Sequence, residues 1–312
     1  MPARKSTTLL LITLAAIIGL GCQFASQLLS GAPPEGGDVN PATPLPAATA
    51  VPPSPAADES AALVPPPPAA AGACANTFYP LVPGNQWIYQ VDSGDQSSKI
   101  SLTVSQVNGN QATLEALSLD SGVTTSTTVD CQDGAILNFP LLLMGFLLGD
   151  ASGTLQIEHL SGVFAPAYET LTASNWDYRW ESNYLASGQF SATVEGETAT
   201  GTLDRSPLTF RWRTPGAGEA IFEATSVPAG DFPRAIHLTR EVELDFKATL
   251  SQGGDQVTLD SVLTLTNELW FEPNVGLLRQ TAHHASLKLF GVSFPIDTPG
   301  EIKLLEFRPA TP

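Results

Sequence analysis

The stretch Phe78-Tyr-Pro-Leu-Val-Pro-Gly-Asn-Gln-Trp-Ile-Tyr-Gln-Val91 decides the fold. Pro80, Pro83 and Gly84 read as a turn, because proline fixes φ and glycine allows positive φ. Trp87, Tyr89 and Val91 then alternate with Gln86, Ile88 and Gln90, the period of a strand with one aromatic face. A weaker copy returns at Leu171-Thr-Ala-Ser-Asn-Trp-Asp-Tyr-Arg-Trp180. It predicts Trp176, Tyr178 and Trp180 on one strand face, with Asp177 and Arg179 on the other.

Toward the C-terminus, strand signals recur at the spacing of an antiparallel all-β fold. Ile100, Leu102 and Val104 alternate up to Asn108-Gly-Asn110, a hairpin signal, since Asn-Gly supplies the positive φ of tight turns. Ala112, Leu114 and Ala116 continue it, and Leu208, Phe210 and Trp212 alternate with Thr209, Arg211 and Arg213. Ile236, Leu238, Val242, Leu244 and Phe246 share one parity, interrupted by Arg240. After Gly253-Gly254, the residues Val257, Leu259, Leu263, Leu265, Leu269 and Phe271 repeat that pattern. These long strands predict a large curved antiparallel sheet, a half-barrel or open barrel, over residues 76–309. Its apolar face must be covered by curling or by a second layer.

Toward the N-terminus, Arg4 and Lys5 precede an apolar run from Leu9 to Leu20 that ends at Gly21-Cys22. The run is short for a membrane span and suits a signal segment, residues 1–22. Its end resembles the lipobox of bacterial lipoproteins, departing at Gly19, and implies lipidation of Cys22. Cleavage nearby and an uncleaved anchor are the other readings, and all three export the chain. Residues 23–75 are rich in Pro, Ala, Gly and Ser and too poor in apolar side chains to offset the cost of ordering. They read as a disordered linker that lifts the body off a membrane. The expected location is the outer face of the bacterial cell membrane, with that membrane as partner through the lipid anchor.

The formal charge is −17 with no basic patch, which argues against nucleic acid. Of the three cysteines, Cys74 and Cys131 remain as a pair once Cys22 is set aside, and in an oxidising compartment they predict a disulfide. Two buried free thiols are the alternative.

No nucleophile elbow, phosphate loop, dinucleotide glycine pattern or His-Glu-x-x-His motif is present, so no catalytic residue, metal ligand or cofactor is assigned. His283 and His284 are adjacent on a strand and point to opposite faces. The aromatics Trp87, Tyr89, Trp176, Tyr178, Trp180, Trp212 and Trp270 read either as core or as a platform for a sugar or lipid. The run Phe139–Gly149 is apolar on all sides and reads as a buried segment, or as a lid over a cavity or a loop dipping into lipid.

Three motifs together resemble a group of exported bacterial lipoproteins of uncharacterised role: Tyr79-Pro-Leu-x-x-Gly-x-x-Trp-x-Tyr89, Val227-Pro-Ala-Gly-x-Phe232, and Trp270-Phe-x-Pro-x-Val-Gly-Leu277 followed by Arg279. The resemblance implies a curved sheet akin to the half-barrels of lipoprotein carriers, which hold acyl chains. It transfers no catalytic residue. The expected function is a non-catalytic, surface-tethered envelope protein that binds an apolar or amphiphilic ligand. The alternatives are a structural or interaction module without a small ligand and, third, an envelope hydrolase.

For Trp270 and Phe271, strand parity places one ring in the core and the other across the sheet. Pro273 and Gly276 predict a bend at which both rings are covered.

Overall fold

The aromatic alternation at Gln86–Ser93 becomes strand β1, which lies inside a 14-stranded antiparallel sheet. The computed structural model describes residues 72–93, 96–138, 152–194, 197–215, 221–252, 255–289, 291–296 and 300–310. The signal segment, Cys22, most of the linker and the apolar run 139–149 lie outside the described residues.

On one side of β1 the chain meanders through β2 (Gln96–Asn108), β3 (Gln111–Ser118), β4 (Thr124–Gln132) and the short β5 (Ala135–Ile136). The Asn108 turn forms as its residues predict, with Gly109 at φ 59° and Asn108 paired to Gln111. On the other side of β1 lies β14 (Gly300–Arg308). Beyond it follow β12 (Gly276–Leu289), β11 (Asp255–Glu272), β10 (Gly230–Gln252), β8 (Glu197–Arg213), β7 (Arg179–Val194) and β6 (Ser152–Gly162). Two short strands, β9 (Phe222–Val227) and β13 (Val292–Ile296), pair alongside β10 and β12. The β10–β11 hairpin is in register from Ile236↔Phe271 to Gln252↔Asp255.

The sheet is an open barrel whose two edges, β5 and β6, do not pair with each other. One tie joins them beyond the end of β6. Ile136 N–H donates to the Ala165 carbonyl at 2.8 Å, and Phe164 N–H donates to the Ile136 carbonyl at 2.8 Å. Buried Asn76 locks this seam to the opening segment. Its Nδ2 donates to the carbonyls of Gly134 (2.7 Å) and Pro166 (3.0 Å), and its Oδ1 accepts from the N–H groups of Phe78 and Tyr79, both at 3.0 Å. Gly162, at φ 85°, lets the chain leave β6 against β7. A Cβ there would stand 2.1 Å from the Glu181 carbonyl oxygen, a distance no side chain tolerates.

The inner face of the barrel is filled at this end by the chain itself. Cys74, Phe78 and Leu81 from the opening segment, Phe164, and Leu171 from the helix α1 (Tyr168–Ala173) join buried side chains of the strands in one core. Cys74, in a 3-10 turn over Gly72–Cys74 and already part of the body, is bonded to Cys131 of β4. The predicted disulfide forms.

The second aromatic stretch differs from its expectation. Tyr168–Ala173 is helical, Asn175 and Trp176 adopt positive φ of 52° and 62°, and β7 begins only at Arg179. Trp176, Tyr178 and Trp180 therefore do not share a strand face. From across the sheet Thr214 fastens the turn, donating from Oγ1 to the Trp176 carbonyl and accepting the Tyr178 N–H at 3.0 Å.

Candidate functional site

Six of the seven singled-out aromatics fall into three groups, not one platform, and Trp176 stands apart. Trp87 and Tyr89 grip the 275–277 bend: Trp87 Nε1 donates to the Val275 carbonyl at 2.5 Å, and Tyr89 Oη donates to the Leu277 carbonyl at 3.1 Å. Gly276 suits the bend because its φ of 112° favours glycine, and a Cβ there would also stand 3.2 Å from Trp87 Nε1. The first and third sequence motifs are thus mutual packing partners. The second approaches the first by way of β14: Ala229 N–H donates at 3.2 Å to the carbonyl of Leu304, the residue paired with Tyr89.

The second group is the stack Tyr178–Trp180–Trp212, with ring centroids 5.9 and 5.8 Å apart. Trp180 Nε1 donates to the Phe164 carbonyl at 3.1 Å. Trp176 stands aside from this stack, edge-on to Tyr168 and Phe222. The third group surrounds Trp270 on the opposite face from Phe271. Trp270 is 6 % exposed, stacked on His237 at 4.9 Å and covered by the Arg279 guanidinium at 5.2 Å. Its Nε1 donates to Glu223 of β9 at 3.2 Å. Both rings are covered, as the sequence predicts, and the cover on Trp270 comes from flanking strands.

The residue that aromatic patterning alone misses is Arg240. It lies on β10 at the parity of Ile236, Leu238, Val242 and Leu244, all buried, and is itself 3 % exposed. Its cross-strand partners are Trp212 on β8 and Asn267 on β11. The guanidinium lies 5.1 Å from the centre of the Trp212 ring and 5.9 Å from that of Phe210. Nη2 donates to Asn267 Oδ1 at 3.0 Å, while Nε and Nη1 are buried without a hydrogen-bond partner. Trp212 Nε1 and Gln280 Oε1 are in the same condition. Burial pushes the Arg240 pKa down to about 10, with nearby Tyr79 opposing the shift, so the group remains a cation at neutral pH. The signal was present in the sequence: a charged residue at an apolar parity position.

On the same face Leu263 and Leu265 of β11 are only partly buried, unlike Leu269 and Phe271 further along. The outer face carries ion pairs instead, with Arg211 bridging Glu241 and Glu243, and Glu301 bridging Arg279 and Lys303. Among the described residues no three His, Cys, Asp or Glu side chains converge as a metal site would require.

The site and fold define an open antiparallel barrel with a plugged end and a mixed inner face. No family profile and no curated protein matches the chain. Two solved structures are similar in shape. A candidate lipoprotein from Parabacteroides distasonis shares 15 % identity with a TM-score of 0.41, over 75 % of this chain and 99 % of its own. A candidate exported protein with a YmcC-like fold from Bacteroides fragilis shares 10 % identity with a TM-score of 0.40, over the same shares. Likeness at this level carries no functional weight.

Proposed function

We propose that the protein is an exported, non-catalytic envelope lipoprotein whose open barrel binds an amphiphile on its inner face. The observation that carries this reading is the split in that face. At the tied end it is closed by Phe78, Phe164 and Leu171, whereas at β10–β11 it leaves Leu263 and Leu265 partly uncovered, a short way along from the unmatched polar atoms of Arg240. A face that is apolar with isolated polar groups suits a ligand of the same make-up. Export is supported by the signal-like N-terminus and by the Cys74–Cys131 bond, which persists in oxidising compartments.

Organic extraction of the purified full-length chain, followed by mass spectrometry, tests the reading. One amphiphile in near-stoichiometric amount is expected. Extracts equal to blank, together with no displacement of a fluorescent fatty acid, would exclude it. The second reading, a structural module without a ligand, draws on the filled interior at the tied end and predicts that blank result. Anchoring is tested separately: a clickable fatty acid should label the wild type and fail to label Cys22→Ser.

A further inference from the structure

We infer that Arg240 and its neighbours form an anion site, which holds the oxyanion headgroup of an amphiphile while its apolar part runs along Leu263 and Leu265. The inference deepens the binding reading above and rests on it.

A guanidinium has five N–H donors and no acceptor. In this barrel one bond to Asn267 engages Nη2, the described residues supply no carboxylate partner to the group, and Nε and Nη1 stay unmatched. Taking a charge out of water costs several kcal/mol unless a counter-charge or a full set of hydrogen bonds offsets it. Folds seldom retain such a group on an apolar face, and those that do often use it. The adjoining Trp212 offers a further donor, Nε1, that also lacks an acceptor. Ring contacts from Trp212 and Phe210 hold the guanidinium in place. Three unmatched donor atoms on two paired residues, Nε and Nη1 of Arg240 and Nε1 of Trp212, favour an acceptor-only partner, which a carboxylate or phosphate oxygen provides.

The surroundings set the rest of the ligand. From Asn267, the next residues at the same parity on β11 are Leu265 and Leu263, paired with Val242 and Leu244. A hydrocarbon chain lying there would cover side chains that the protein leaves partly bare. The chain's net charge of −17 repels anions at long range, so any preference for one must come from this local cation.

The experiment uses the full-length chain stripped of bound lipid and a fluorescent fatty acid as reporter. Competitors are palmitate, lysophosphatidylglycerol, uncharged monopalmitoylglycerol and inorganic phosphate alone. Both anionic amphiphiles are expected to displace the reporter at least tenfold more tightly than monopalmitoylglycerol, and phosphate alone should not displace it. Arg240→Gln should bring the anionic competitors down to the level of the neutral one and leave the neutral one unchanged. Equal wild-type affinities, or a preference that survives Arg240→Gln, overturn the anion site and leave amphiphile binding standing. A wild type that binds none of the amphiphiles overturns both readings, and displacement by phosphate alone overturns the headgroup assignment. If Arg240→Gln does not fold, palmitate against monopalmitoylglycerol on the wild type decides the matter, because they share a chain length and differ in headgroup charge.

Discussion

The tied end of the barrel and its β10–β11 flank treat the same inner face in opposite ways. At the tied end buried Asn76 is matched on both sides: it donates to carbonyls of both edges and accepts from two N–H groups. At the flank, Arg240, Trp212 and Gln280 bury polar atoms with no partner. Asn76 follows the rule that buried polar groups are hydrogen-bonded, and the Arg240 cluster breaks it. Breaches of that rule concentrate where a protein does something besides fold. Substitutions should therefore separate the regions, lowering stability at one and ligand binding at the other.

The largest effect is expected at the disulfide. Its separation of 57 residues corresponds to about 4 kcal/mol in the chain-entropy account. Cys74→Ser with Cys131→Ser should lower Tm by roughly 10 °C, measured by calorimetry. An unchanged Tm would mean that Asn76 and the Ile136–Ala165 tie hold the seam without it. Trp270→Ala is next, at about 3 kcal/mol, since it removes a ring buried between His237 and Arg279. Amphiphile affinity should not change, because Trp270 faces away from the inner cluster. A variant that melts normally but loses binding would make Trp270 part of a site. Asn76→Ala should cost about 2 kcal/mol, because it leaves the Phe78 and Tyr79 N–H groups and the Gly134 carbonyl short of a partner. Hydrogen exchange should then quicken at Ile136 and Ala165 before it does so in β10.

Much of this arrangement was legible in the residues. Period-two patterning gave the inner parity of β2, β3, β10 and β11, and the Asn108 turn fixed one hairpin. The cysteine count gave the disulfide. The Leu171–Trp180 stretch misled because Trp-x-Tyr alternation reads as strand. Its fate depends instead on Thr214, 36 residues beyond Tyr178, which captures the local backbone. The Asn76 seam was illegible for a similar reason: the groups its Nδ2 reaches are 58 to 90 residues away and are backbone carbonyls, which no side-chain pattern marks. Arg240 was visible as a break in an apolar parity. Its meaning appeared only with the register that sets it between Trp212 and Asn267.

The smallest stability change is expected at the flank, where it is most informative. Leu263→Thr keeps a residue suited to a strand and removes part of a side chain that is already partly exposed. Half-burial of a leucine is worth about 1 kcal/mol, so Tm should move by only about 3 °C. Binding of palmitate should weaken several-fold, since the lost methyl groups are those that would contact the hydrocarbon. The two readouts separate the functional readings. If Leu263 belongs to a core that simply packs less tightly, Tm should fall about as far as in Trp270→Ala, and no amphiphile affinity should exist to lose. If it lines a binding surface, stability should hold while affinity drops. Leu263→Thr combined with Arg240→Gln should then weaken palmitate by about the product of the two single effects, because the two side chains would contact different parts of one ligand.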